Sequence, residues 1–206
     1  LAGMIVSISY FMNEKGIKQG DTVVVQAVHE DICIACYYAV HLLGAILVPV
    51  EKTATAKRIS EIANDTDSKL IISLDGGSDS VEWIKYDQIR KISNKTSFSE
   101  NTQLSFPDID APCEMIFTTG TTGKSKGVLM SHRHISWYAY SIAKNLEMKK
   151  NNRFLLTTPL NHAGGLRRTH LTLANGCCMV YMDGMSDLEK YFDYINRYEV
   201  TSLYLP

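Results

Sequence analysis

The sequence predicts an α/β fold of mostly parallel sheets covered by helices. Three observations carry that expectation. The run Thr22 to Ala27 is β-branched and too continuous to be half exposed, so it reads as a central strand. The stretch Leu1 to Met12 places Leu1, Ile5, Ile8, Phe11 and Met12 at helical spacing, with Lys15 and Gly16 as a stop. The two patterns then alternate along the chain, as strand–helix–strand units require. With 206 residues, 45% of them apolar and 21% charged, the chain is large and apolar enough to bury a core.

Gly20-Asp21 turns the first helix into the strand Thr22 to Ala27, and a helix follows over residues 31 to 43. Ala45 to Val50 is the next strand, then a polar helix from Ala56 to Asn64 and a strand Leu70 to Leu74. Val81 to Tyr86 adds a short strand before a helical Asp87 to Ile92. Residues 93–112 are rich in Ser, Thr and Asn and carry Pro107 and Pro112, which predicts a polar connection between two lobes, 1–92 and 113–206. Beyond it come a strand Met115 to Thr118, a glycine-rich loop and a helix capped by Ser131. A strand Phe154 to Thr158, a helix near 165–174, a strand Cys177 to Met182, a helix Asp187 to Tyr198 and a strand Thr201 to Leu205 complete the pattern. No internal sequence repeat is visible.

Twenty-one basic against twenty-two acidic residues leave a net charge of -1, so no global field draws the chain to nucleic acid or anionic lipid. Any anion site must be local. Five scattered cysteines in a chain of this size fit a reducing, cytoplasmic setting better than a disulfide framework. The first residue is Leu1, with no basic segment ahead of the apolar stretch, which reads as a truncated or processed end and not a signal peptide. Ile32 to Val50 has the length of a membrane span, but Gly44 and Pro49 divide it into a helix and a β-rich piece, so no span is expected.

The chemistry concentrates in Thr118-Thr119-Gly120-Thr121-Thr122-Gly123-Lys124-Ser125-Lys126-Gly127, directly after an apolar β run. Ten positions hold five hydroxyls, three glycines and two lysines. Glycines let backbone N–H groups approach an anion, hydroxyls donate to its oxygens, and lysine supplies charge. That is the chemistry of a polyphosphate cradle. A Walker A loop would need glycine where Thr118 stands and a helix after Lys126, where Gly127-Val128-Leu129 follows instead. Gly123-Lys124-Ser125-Lys126-Gly127 also fits G-x-S-x-G, yet the first aspartate after Ser125 is Asp183 and no histidine follows it. Only Glu147 with His162 or His170 restores the order of a serine hydrolase. A plain connector seldom stacks hydroxyls and lysines so densely.

These residues resemble the signature loop of the adenylate-forming enzymes, which include acyl- and aryl-CoA ligases, luciferases and the adenylation domains of peptide synthetases. Thr118 to Gly123 and Lys126-Gly127 match, while Lys124 replaces the usual proline. Leu42 to Val50 is similar to an upstream motif of that family, and Pro159-Leu160-Asn161-His162-Ala163-Gly164-Gly165-Leu166 to a downstream one. The resemblance implies part of an N-terminal domain that activates a small-molecule carboxylic acid with ATP and magnesium, then passes the acyl group to CoA or a carrier-protein thiol. It implies phosphate contacts from Thr118, Thr119, Gly120, Thr121, Thr122 and Gly123, with Lys126 as charge donor. His162 corresponds to a position beside the acyl pocket, where enzymes for α-amino acids often present an aspartate; Asn161 and His162 offer none, which favours an acid without an α-amino group. No acidic residue has a spacing that marks it as a magnesium ligand. The family's later motifs, for ribose, adenine and the reacting carboxylate, have no counterpart in these residues, so the chain alone is expected to be inactive. Two other readings stand beside the CoA ligase: a domain loading an amino or hydroxy acid onto a carrier protein, and a noncatalytic nucleotide-binding module.

Three further groupings read as packing or surface. Cys33 and Cys36 have C-x-x-C spacing but read as lying deep inside an apolar helix rather than at a helix start, where a thiolate would be stabilised. Cys177 and Cys178 on a strand point to opposite faces, which disfavours a zinc site with His132 and His134. Arg167-Arg168 is either a solvated face or a contact for an anionic substrate or a CoA phosphate.

Overall fold

The computed structural model describes residues 1–77, 80–93, 105–118 and 126–204, with Thr118 described by its backbone alone. The chain forms two compact units, Leu1–His132 and Arg133–Pro206.

In the first unit, α1 (Ala2–Glu14) buries Val6, Ile8 and Met12, while Leu1 at 50% exposure lies outside the core. The buried face is therefore rotated from the expected stripe and takes in Ser7 and Ser9. Their hydroxyls donate to Gly3 O at 2.9 Å and Val6 O at 2.8 Å, which satisfies them without leaving the helix. Strand β1 (Thr22–Gln26) is buried along its whole length, as its continuous β-branched run requires. α2 (Asp31–Leu42) ends in a Schellman motif: Gly44 N donates to His41 O at 3.0 Å and Ala45 N to Val40 O at 3.1 Å. Gly44 sits at φ +68°, a conformation open to glycine at little cost.

β2 (Ile46–Val50), α3 (Ala56–Asp65), β3 (Leu70–Ser73), β4 (Glu82–Lys85) and α4 (Tyr86–Ser93) follow as the alternation predicts. β5 (Pro112–Thr118) and β6 (Lys126–Ser131) complete a six-stranded sheet in the order β4-β3-β1-β2-β5-β6, parallel except for the antiparallel β5–β6 pair. Ile59 and Ile62 of α3 pack on Val24, Val48, Val50 and Ile71, while α1, α2 and α4 pack together as a layer. The segment 93–112 does not separate the units. β5 pairs with β2, so the boundary falls at His132, and Pro112 begins a strand, where a missing N–H is tolerated.

The chain leaves β1 for β2 on one side and crosses to β3 on the other, so the β1/β3 gap is the switch point where doubly wound sheets open a crevice. Here Gln26 closes it. Its amide Nε2 donates to Lys52 O at 2.7 Å and Ala54 O at 3.3 Å, and its Oε1 accepts from Leu74 N at 2.9 Å. Tyr86 Oη donates to Gln26 O at 2.6 Å from the same end.

The second unit contains most of α5 (His132–Asn145), then β7 (Arg153–Leu156), α6 (Ala163–Ala174), β8 (Cys178–Tyr181), α7 (Leu188–Arg197) and β9 (Ser202–Leu203). Its parallel sheet runs β8-β7-β9. Leu155, Val180, Met182 and Tyr191 form its core. Asp187 caps α7 by accepting from Lys190 N at 2.9 Å. The strand order repeats that of β2-β1-β3 without any sequence repeat.

Candidate active site

The signature loop joins two antiparallel strands. Phe117 pairs with Gly127 and Thr118 with Lys126, so residues 119–125 bridge adjacent strand ends. Thr119, Gly120, Thr121, Thr122, Gly123, Lys124 and Ser125 lie outside the described residues. Thr118 closes β5, and Lys126 opens β6 as an exposed side chain. The strand after Lys126 agrees with the sequence argument against a Walker A helix.

Beneath this ribbon lies a polar group that sequence reasoning missed. Glu114, wholly buried in β5, sets its Oε1 3.4 Å from Nε2 of the buried His41 of α2. The His41 ring meets His132 edge-to-face at 5.6 Å between centroids. The neighbouring Cys113 Sγ donates to Met130 O at 3.4 Å, and burial with the Glu114 charge pushes its thiol well above the ordinary range. The available signal was one acidic residue inside an apolar strand.

His162 lies in the second unit, exposed at the N-cap of α6, with extended backbone at φ -99° and ψ 148°. Its N–H donates to Pro159 O at 3.2 Å, and its carbonyl accepts from Leu166 N at 3.1 Å. The motif Pro159 to Leu166 is thus the exit of β7 and the start of α6, at the carboxyl end of the middle strand of this sheet. That is the switch point of the second unit, between β7 and β9, the position Gln26 blocks in the first. Gly165 is required there by close approach, because a Cβ would fall 2.2 Å from Pro159 O. Gly164 faces Tyr204, whose Cε1 would lie 4.0 Å from its Cβ. One turn on, the Arg168 guanidinium stacks on the Tyr204 ring at 4.1 Å, and Arg167 lies 5.1 Å from the Tyr138 ring. Both arginines are half-buried, so neither belongs to a freely solvated face.

The remaining groupings resolve by burial. α2 starts at Asp31, which puts Cys33 in its first turn and not deep inside a helix as expected. A helix start lowers a thiol pKa, yet burial outweighs it and both Cys33 and Cys36 are pushed up. Cys177 is buried and Cys178 exposed, as opposite faces require. Among the described residues no three His, Cys, Asp or Glu side chains gather to hold a metal, and no helix is long and apolar enough to cross a membrane.

The mostly parallel six-stranded sheet and the second parallel sheet β8-β7-β9, each with helices between its strands, make this an α/β protein. The chain belongs to the AMP-binding enzyme family, whose pattern it matches over residues 4–206. It is 27% identical over 194 residues to the 2-succinylbenzoate–CoA ligase of Oceanobacillus iheyensis, an alignment that takes in 92% of this chain and 40% of that protein. It is 24% identical over 185 residues to the long-chain-fatty-acid–CoA ligase FadD13 of Mycobacterium tuberculosis, covering 81% of this chain and 36% of the relative. Its fold is that of the N-terminal domain of FACL13 from M. tuberculosis, with a TM-score of 0.84 at 23% identity over 98% of this chain and 53% of that one. The O-succinylbenzoate CoA synthetase (MenE) of Bacillus subtilis, solved with AMP, superposes with a TM-score of 0.81 at 22% identity, covering 97% of this chain and 52% of that one. The chain therefore spans about 40% of the length of the curated relatives it matches.

Proposed function

We propose that the whole protein activates a carboxylic acid with ATP and transfers the acyl group to CoA. The observation that carries this reading is the Thr118–Lys126 ribbon within a chain of the AMP-binding family. The acid's carboxylate oxygen attacks the α-phosphorus, the bond to the bridging oxygen breaks, and pyrophosphate leaves. The CoA thiolate then attacks the acyl carbon and AMP departs with its electron pair.

The chain's own contribution to the first step is electrostatic. Lys126, with donors from Thr118, Thr119, Gly120, Thr121, Thr122 and Gly123, meets the charge that grows on the leaving pyrophosphate. Magnesium enters with the nucleotide, held by its phosphates. His162, exposed at the start of α6 with Asn161, borders the acyl group and presents no carboxylate to an α-ammonium. The names of the relatives support CoA over a carrier protein as acceptor, and an acid without an α-amino group as substrate.

The test is carboxylate-dependent ATP–pyrophosphate exchange by the whole protein over aryl, dicarboxylic, fatty and amino acids. Exchange with non-amino acids, followed by CoA-dependent thioester formation, is expected. Exchange with α-amino acids alone would overturn the substrate reading, and no exchange with any acid would overturn the activity.

A further inference from the structure

Three elements meet around His41 of α2: β5 brings Glu114 to 3.4 Å, and His132 begins α5 with its ring 5.6 Å away. Tyr38 completes the ring cluster at 5.8 Å from His41. Tyr37 on α2 and Cys113 on β5 are titratable groups close enough to feel the Glu114 charge. Both hold their protons more tightly than usual, chiefly through burial, with the Glu114 charge contributing. A carboxylate buried this fully is retained only when protonatable or donor groups meet it.

The location of the cluster gives it a role. His132 N donates to Ala111 O at 3.1 Å, so the residue before β5 is tied to the residue after β6. Glu114 sits just above that tie, at the position where β5 pairs with Leu47 of β2 and with Met130 of β6. The open end of the ribbon is thus clamped, and its other end is the Thr118–Lys126 pair. β6 is an edge strand held on one side only. A slip of one residue would carry Lys126 to the opposite face of the sheet.

We propose that Glu114 is a positioning residue for phosphate binding: with His41 and His132 it locks the base of the β5–β6 ribbon and thereby fixes the register of Lys126. This rests on the reading of the loop as the phosphate site and deepens it. The clamp acts through the ribbon, so its loss weakens the grip on ATP and leaves the acid site alone.

The experiment compares Glu114→Gln, His41→Gln and the double variant with the unsubstituted whole protein in ATP–pyrophosphate exchange. Each single variant is expected to raise KM for ATP at least fivefold and to leave KM for the acid within twofold. The double variant, with a neutral amide on each side, is expected to recover at least half of that loss. Amide hydrogen exchange is measured alongside. Residues 115–117 and 127–130 should exchange at least tenfold faster in Glu114→Gln, with Val24 in β1 unchanged. A fall in kcat with both KM values unchanged, or a uniform rise in exchange across the sheet, would overturn the clamp. Should Glu114→Gln fail to fold, His132→Gln, at a half-buried position, carries the same two readouts. If the unsubstituted protein shows no exchange of pyrophosphate, the phosphate reading fails and the amide comparison alone decides the clamp.

Discussion

Lys126 stands exposed at the first position of β6, so its side chain can be removed without opening the core. Lys126→Ala, and Thr122→Ala within the loop, should each slow adenylation by about 10- to 1000-fold, as for other preorganised donors. Single-turnover formation of the acyl adenylate checks this, and rates within about twofold of the parent would remove Lys126 from the site. The buried thiols make a second residue-scale prediction. Cys33 and Cys36 titrate higher in the folded chain than in the unfolded one, because burial disfavours the thiolate. The native state therefore binds their protons more tightly, and the stability they lend is complete below the unfolded thiol pKa of about 8.5. Above it, unfolding gains about 1.4 kcal/mol per pH unit from each thiol until the folded pKa is reached. Urea midpoints should fall between pH 8.5 and 10, and replacing Cys33 and Cys36 together with alanine should flatten that slope. At pH 8, a thiol reagent should modify the exposed Cys178 well before either of them.

At the scale of the element, the start of α6 depends on one missing methyl group. Gly165→Ala places a Cβ 2.2 Å from the Pro159 carbonyl, and backbone on both sides must move to relieve it. The substitution should cost about 1–3 kcal/mol and displace the His162 cap, whereas Gly164→Ala, with its nearest atom at 3.6 Å, should cost less. Thermal unfolding of the two variants separates them. The motif around His162 was legible in the sequence, but which of its two glycines is obligatory was not, since that depends on the path of Pro159. β1, α2 and β2 were equally plain, because a continuous β-branched run and a Gly44 stop are local signals. β6 was missed as a strand: Gly127, Val128 and Leu129 are exposed at a sheet edge, so its residues do not alternate between polar and apolar. The polar segment 93–112 suggested a lobe boundary because composition is local, while the β2–β5 pairing that joins β5 to the first unit spans more than sixty residues. Glu114 and His41 meet across a comparable separation, which no spacing rule reaches.

The two units solve the same topological problem, a middle strand flanked first on one side and then on the other, and put different residues at the resulting gap. In the second unit the gap carries the His162 loop. The chain covers about 40% of its curated relatives, so the 206 residues by themselves should hold ATP weakly, with a Kd on the order of millimolar, about -4 kcal/mol. They should not catalyse acid-dependent exchange, because the motifs with which the family holds the ribose, the adenine and the reacting carboxylate have no counterpart in these residues, and aligning the acid with the α-phosphorus is worth about 7–11 kcal/mol of barrier. Calorimetric titration with ATP and an exchange assay on the isolated chain check both points, and exchange at the whole protein's rate would refute them. In the first unit, Gln26 has a different consequence. Its carboxamide fills a hollow whose rim is two carbonyls and one N–H, the complement of a small primary amide. Gln26→Ala should leave those groups unmet at about 1–3 kcal/mol apiece, and free acetamide should then raise the melting temperature of the variant more than that of the parent. Equal shifts would deny the complementarity. Gln26 acts, in this sense, as a tethered guest: the first unit keeps the hollow at its switch point occupied with its own side chain.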